Sequence, residues 1–441
     1  MVLQLLIGVD WRKYMYNKFK MNRFVFLIVS AAVLLFTGAC GTKNTINEDV
    51  KINENTEKIT FDEIKETDSY DSLKKFSYDF FEKGIEIKNP VYSPVSAYIA
   101  LSMVGYGADN NTYAEFEEIF GSDMANVSSS IMKAYHNEGK IFKLLLANSA
   151  WIDDDFSVNK KWIENVEEGF NSDIFNTNLS GEKTMKKMNS WIEDNTKGMI
   201  QRMLETPLGD DSKLALFNTV YFKSRWETPF EVTATHKKKF YLEDGKGEIE
   251  VDTLNAGYEN FEYIKNDFAD GIILNYNTED SGLNLAYVAI KPTNESSIRD
   301  VCSKLTIEVI DKMIENRKTE LVNLSLPKYS ITCDQVLNEI LKKQGLSDAF
   351  DSEKADFSKL RSTSNDKKIY IDLVRQKSKI IVDEEGTEAA AVTEVIMTEG
   401  CALIEEKPID VRFDRPFLYM IMDMDKNIPL FIGILDEPVT E

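Results

Sequence analysis

The segment Asp383-Glu384-Glu385-Gly386-Thr387-Glu388-Ala389-Ala390-Ala391-Val392-Thr393-Glu394-Val395 restricts the possible folds of this chain more than any other. Just before it, Ser378 to Val382 reads as a strand, with β-branched Ile380, Ile381 and Val382 in succession. An acidic corner follows, then a glycine with access to backbone angles closed to other residues, then small side chains without a large anchor. The alanines alone would favour a short surface helix. Thr387, Val392 and Thr393 are β-branched and work against it. Extended, the segment places Thr387, Ala389, Ala391, Thr393 and Val395 on one face and turns Glu388 and Glu394 the other way. A face that small can slide beneath packed helices, so the segment can fit in more than one place.

The rest of the chain narrows what such a segment serves. A net charge of -22 argues against a nucleic-acid binder, since phosphate recognition relies on clustered Lys and Arg that this chain does not display, and no nucleic-acid partner is expected. The two histidines, His136 and His236, are far apart and lack metal-ligand spacing or a hydrolase context, so no metal, cofactor or catalytic group is expected. Cys40, Cys302, Cys333 and Cys401 form no CxxC pair and no disulfide framework. Stability must come from the apolar core, and the chain is long enough for a sizeable one.

At the amino terminus, Phe24 to Phe36 is a nearly unbroken apolar run after Lys18, Lys20 and Arg23, and Thr37-Gly38-Ala39-Cys40-Gly41 follows. The run falls short of the roughly twenty residues a membrane span needs, so residues 1–39 read as a signal peptide. Met21 is a natural start for it. Cys40 after Gly-Ala resembles a bacterial lipobox, although Thr37 stands where leucine is usual; lipidation of Cys40 would anchor the protein to a membrane. If Cys40 carries lipid, three cysteines remain, an odd number that leaves at least one free thiol. Residues 40–69 are polar and read as a disordered tether.

From residue 70 onward the pattern is that of one α+β body. Ser72 to Phe81 has helical apolar spacing. Ser93 is placed to cap a helix that has Pro94 at its first position and ends at Gly105 and Gly107. Leu144 to Ile152 reads as a buried central strand. Met185, Met188, Trp191 and Ile192 form a helical stripe that reads as core. Leu214 to Phe222 reads as a strand that continues to Trp226, and Phe417–Met422 with Leu430–Leu435 reads as a hairpin.

Glu384-Glu385-Gly386-Thr387-Glu388-Ala389-Ala390-Ala391 with Thr393 resembles the proximal hinge of inhibitory serpins. Other serpin-like blocks occur in the family's order: Asn89-Pro90-Val91-Tyr92-Ser93-Pro94-Val95-Ser96; Phe217-Asn218-Thr219-Val220-Tyr221-Phe222-Lys223 with Trp226; Leu326-Pro327-Lys328-Tyr329; Arg415-Pro416-Phe417; and Pro429-Leu430-Phe431-Ile432-Gly433. The resemblance covers about residues 70 to 438. It implies a single-domain fold over 70–441, with three β-sheets, about nine helices and an exposed reactive-centre loop. It also implies a shutter at Ser93, Ser96, Asn218 and Gln376, and a breach at Trp226. Gln376 stands where many animal serpins carry histidine, so a shutter that does not titrate near neutral pH is expected.

The activity implied is suicide-substrate inhibition of serine proteases, with no enzyme activity of the chain's own. Family spacing from Gly386 puts the scissile bond between Gly400 and Cys401. The stretch on to Pro416 is longer than usual, which leaves cleavage after Met397, Glu399 or Cys401 open. Small and aliphatic residues there favour elastase-like or subtilisin-like targets over trypsin-like ones. The expected protein is an exported, surface-anchored monomer, and a non-inhibitory binding or adhesion role is the alternative.

Overall fold

A computed structural model describes the backbone of residues 52–53 and residues 62–279, 281–361, 368–387 and 407–439. All of these belong to one compact unit, Ile46–Glu441. They contain nine α-helices and a large set of strands, an α+β arrangement. Among the described residues, no helix is long and apolar enough to cross a membrane. The expected signal peptide and Cys40 lie outside the described residues.

The main sheet is built on β1 (Lys143–Ile152), β2 (Asp173–Asn176), β3 (Leu214–Trp226), β4 (Tyr329–Val336), β5 (Leu373–Val382) and β6 (Gly386–Thr387), with the two-residue strand Asn137–Glu138 paired to the start of β1. The order is β2-β1-β3-β5-β4, with β6 wedged between the far ends of β3 and β5. Strands β1 and β3 are antiparallel along their full length, from Ile152↔Leu214 to Lys143↔Lys223. They can be central because their side chains are mostly buried on both faces.

Two further regions continue the network. One joins His236–Tyr241, Glu248–Lys265, Lys318–Pro327 and Ile409–Arg412. The other joins the far end of Glu248–Lys265 to Ala269–Asn277, Leu285–Pro292, Phe417–Asp423, Ile428–Leu435 and Val91–Tyr92. The three sheets expected from the sequence are thus three regions of one bonded network, linked by the long strand and by Tyr276↔Trp226.

Helix Pro94–Gly105 is buried along its whole length under the main sheet, which explains why it has no polar face. On the opposite face, helix Glu182–Asn195 covers the lower end of β3. Met188, Trp191 and Ile192 pack there with Trp151, Ala215 and Phe217, so the predicted stripe is core.

The expected tether is partly docked. Ile52–Asn53 pairs with Val158–Asn159. Lys65 N–H donates to Asn126 Oδ1 at 2.6 Å, Thr67 N–H to Ser130 Oγ at 2.9 Å, and Tyr106 Oη to the Asp62 carbonyl at 2.8 Å. Composition missed this because the attachment uses backbone groups, an exposed ion pair between Glu66 and Lys133, and one apolar side chain, Ile64, packed against the core.

Candidate functional site: a parted sheet and its hinge

Strands β3 and β5 run parallel and pair only at one end, from Leu373↔Ala215 to Gln376↔Asn218. Among the described residues, they do not pair beyond that rung. Their far ends are bridged by β6, with Thr387 opposite Ser224 on one side and Val382 on the other. The sheet therefore contains a slot flanked by residues 219–223 and 377–381.

The closed end is a buried polar junction. Gln376 Oε1 accepts from Ser93 N–H at 2.9 Å, while Gln376 Nε2 donates to the Ser93 carbonyl at 2.9 Å and to Asn218 Oδ1 at 3.2 Å. Asn218 Nδ2 donates to the Ser96 carbonyl at 2.7 Å and to Asn148 Oδ1 at 2.6 Å. Two amides, each able to donate and accept, thus tie both strands to the start of the buried helix. The structure brings together all four residues expected at the shutter.

One expectation about them is corrected. The Ser93 side chain does not cap the helix, and neither the Ser93 nor the Ser96 hydroxyl has a hydrogen-bond partner among the described residues. Both serines contribute backbone groups instead. Ser93 N–H, which would seek a partner near a helix start, is taken by glutamine, and Pro94 has no N–H to satisfy. Asn148 is the member that the sequence did not mark. It lies inside an apolar strand, where a lone amide was the available signal.

The open end is the hinge. Asp383 N–H donates to the Gly386 carbonyl at 3.0 Å, and Asp383 Oδ1 accepts from the N–H groups of Glu385 at 2.9 Å and Gly386 at 3.2 Å. This tight turn reverses the chain into the slot. Gly386 is required by close approach: a Cβ there would lie 2.1 Å from the Ser224 carbonyl oxygen. Thr387 is buried facing the core, and its hydroxyl is 2.6 Å from Tyr276 Oη.

Trp226, which the resemblance assigned to the breach, lies against the acidic turn. Its indole N–H donates to the Asp383 carbonyl at 2.9 Å, its backbone N–H to the Glu385 carbonyl at 2.9 Å, and its ring stacks on Tyr276 at 4.8 Å. The acidic corner is more buried than its composition suggests. Glu384 accepts from Lys328 Nζ at 2.6 Å and from Thr235 Oγ1 at 2.7 Å. Burial would raise the Glu384 carboxyl, but Lys328 and Thr235 outweigh it and hold the group below its ordinary value. Asp383 is shifted upward, chiefly by burial. Lys328, quoted in the sequence only as part of the Leu326-to-Tyr329 block, and Thr235 were not expected at Glu384, because nothing local predicts contacts so distant in sequence.

Glu388 to Thr393 of the hinge, and Met397, Glu399, Gly400 and Cys401, lie outside the described residues. Among the described residues, Cys302 and Cys333 are free thiols; burial pushes them up to about 12 and about 11. His136 and His236 are both exposed and lie on separate elements.

A family model described as serpin (serine protease inhibitor) matches residues 71–438. The chain belongs to the serpin family. Among serpin relatives, Iripin-1 of Ixodes ricinus is 28% identical over 360 residues, covering 78% of this chain and 88% of the relative. An uncharacterized serpin-like protein of Methanosarcina acetivorans is 25% identical over 434 residues, covering 95% and 98%. The thermophilic serpin tengpin in its native state superposes with a TM-score of 0.77 at 32% identity, covering 88% of this chain and 100% of tengpin. Tengpin in its latent state superposes at 0.70, also at 32% identity, covering 84% and 98%. The serpin described here is thus more similar to the native than to the latent form of that relative.

Proposed function

We infer that the chain is a suicide-substrate inhibitor of serine proteases. The protease's serine attacks the carbonyl of the residue before the scissile bond, expels the new amino terminus and is left as an ester on the loop. The freed loop enters the slot as a strand and carries the protease away before water cleaves the ester. Strand addition at a sheet edge supplies the backbone hydrogen bonds.

The observation that carries this reading is the hinge already seated at the open end of a slot that is closed at the other end. Extending both antiparallel registers from Thr387↔Ser224 and Thr387↔Val382 brings Thr393 opposite Asn218 and Gln376 together. One strand thus satisfies both walls. Ala389 and Ala391 would face the core between these two threonines, as Thr387 does. The same registers reach Ala215 and Leu373, the paired rung furthest from the hinge, at Ile396. A scissile bond between Gly400 and Cys401, or after Met397 or Glu399, lies just beyond that rung and lets the new strand fill the slot.

The small and aliphatic residues from Met397 to Ala402 point to an elastase-like or subtilisin-like target. The signal run and Cys40 support export and lipid anchoring at the cell surface. The test is incubation of the mature protein with elastase, subtilisin and trypsin, followed by denaturing gels and mass analysis. A covalent adduct with the first two is expected, and the released peptide locates the bond. Cleavage without adduct for every protease would overturn the reading and leave a non-inhibitory binding or adhesion protein.

A further inference from the structure

Along β5 the half-buried positions run Leu373, Arg375, Lys377, Lys379 and Ile381, while Gln376 and Ser378 between them are buried. On β3 the half-buried positions at the open end of the slot are Lys223 and Arg225, on either side of buried Ser224. Thr387 faces the core opposite both Ser224 and Val382, so these cations share the other, outer face of the sheet. A wall this cationic is the exception in a chain of net charge -22.

The charge on this face is only partly answered. Asp334 accepts from Arg375 Nε at 2.7 Å and Nη2 at 3.0 Å and is 3.6 Å from Lys377, while Glu385 is 3.7 Å from Arg225. Lys377 Nζ also donates to the Arg202 carbonyl at 2.7 Å. Lys223 has the opposite of a partner: Lys143 of β1 stands directly across from it, an arrangement that destabilises a strand pair. Among the described residues, neither of these two lysine side chains has a hydrogen bond or ion pair. Glu138, across from Lys143 on its other side, is 3.6 Å from Lys197 instead.

We propose that this face selects the entering strand by charge: Lys223 receives Glu388, Arg375 receives Glu394, and the two pairs draw the cleaved loop into the slot and hold it there. The proposal rests on the inhibitory reading above and adds to it the residues that set the speed and strength of insertion. Register argues for this occupant. The rungs Thr387↔Ser224 and Thr387↔Val382, extended, set Glu388 opposite Lys223 and Glu394 opposite Arg375. Residues directly opposite share a face, with Cβ atoms ~5 Å apart, and Lys379 and Lys377 become the diagonal neighbours of the two glutamates. Composition argues the same way, since Gly386 to Glu406 contains no Lys, Arg or His, and the strand brings only negative charge. The pairs form in sequence. Glu388 adjoins the seated Thr387 and engages first. Glu394 follows Thr393 at the closed rung and engages last, where Asp334 occupies only Nε and Nη2 of the five-donor Arg375 guanidinium.

The test uses the intact mature protein with active elastase and subtilisin, and reads the ratio of covalent adduct to cleaved, released serpin. Lys223→Glu and Glu388→Lys are each expected to lower the ratio about threefold, and the two together to restore it. Lys223→Glu should not lower the thermal midpoint of the uncleaved protein, because it sets a carboxylate against Lys143. Added salt should lower the parent's ratio and leave that of the neutral pair, Lys223→Gln with Glu388→Gln, unchanged. Glu394→Lys should keep the midpoint of the uncleaved protein and lower that of the loop-cleaved form. Parent-like ratios in both single variants, or a double variant no better than the singles, overturn the Lys223–Glu388 pair. A parent-like cleaved-form midpoint in Glu394→Lys overturns the Arg375–Glu394 pair. Either result leaves the inhibitory reading intact as long as the parent forms adduct. A parent that is cleaved without adduct overturns that reading instead, and the cleaved-form midpoints still decide whether Glu394 pairs.

Discussion

Gln376 Nε2 donates to Asn218 Oδ1 across 3.2 Å at the last rung on which β3 and β5 pair. On the proposed reading, a strand entering the slot by the registers of β6 would meet this bond at Thr393, and insertion would have to break it. The junction would then be both the lock of the closed sheet and the site at which the loop replaces it.

Removing the lock has a cost in the parted state. Gln376→Ala takes their glutamine partner from the Ser93 N–H and from Asn218 Oδ1, at about 1–3 kcal/mol for each buried group left unpaired, while the Ser93 carbonyl keeps its bond from Ala97 N–H. The thermal midpoint should fall, and the protein should convert faster to a form whose loop resists proteolysis. An unchanged midpoint would show that the amide network contributes nothing to the parted sheet.

Histidine at the same position tests the titration argument. Glutamine carries no proton that exchanges near neutral pH, so inhibition by the parent should vary little between about pH 6 and 8 beyond the protease's own profile. Gln376→His should add a dependence centred near the histidine range. A parent that already shows that transition would locate the titrating group elsewhere.

Gly386→Ala tests the close approach at the hinge. A methyl group 2.1 Å from the Ser224 carbonyl cannot be accommodated without moving backbone. Overpacking of this kind costs about 1–3 kcal/mol. Faster hydrogen exchange at Thr387 and Trp226 and earlier proteolysis after Glu385 are expected. Parent-like protection at both amides would count against the seated hinge.

Thr387→Arg puts a long cation where a buried hydroxyl now meets Tyr276. The outcome expected is cleavage with little adduct, because the first step of insertion would bury an unpaired charge. Thr387→Val, close in shape, should retain adduct formation. Equal adduct yield from Thr387→Arg and the parent would refute insertion through this slot.

Glu384 sets an acid limit. Its carboxyl lies below the ordinary value of 4.5, so its ion pair with Lys328 stabilises the fold above that value. The contribution is lost as pH falls through the lower, folded-state value. Asp383 is raised and titrates in the opposite sense, so the variant carries the test. Glu384→Gln should lower the midpoint at pH 7 by the equivalent of about 1–3 kcal/mol and flatten the decline below about pH 4.5. Parallel profiles for variant and parent would remove Glu384 from the account.

Much of this was legible because local chemistry and long-range structure agree at Pro94, Asn218 and Trp226. Pro94 starts a helix where its missing N–H costs nothing, and Asn218 interrupts an apolar strand where only a polar junction justifies it. The hinge was legible as a conflict between propensities. What stayed hidden was pairing at a distance: Lys328 and Thr235 on Glu384, Asn148 on Asn218, and residues 62–69 on the body. The Ser93 and Ser96 hydroxyls misled because sequence reports a side chain's capacity, while the fold used the backbone beside it.

A slot in the middle of a sheet also has a consequence for pairs of molecules. Residues 219–223 and 377–381 present strand edges that carry Lys223, Lys377 and Lys379 but no proline to blunt them. Their specificity resides in the entering strand, and a like strand from a neighbouring copy meets the same two walls. On the proposed reading, concentration would therefore be a variable of this fold: whichever strand arrived first, from within or from a neighbour, would decide between an inhibitor and a chain of linked copies.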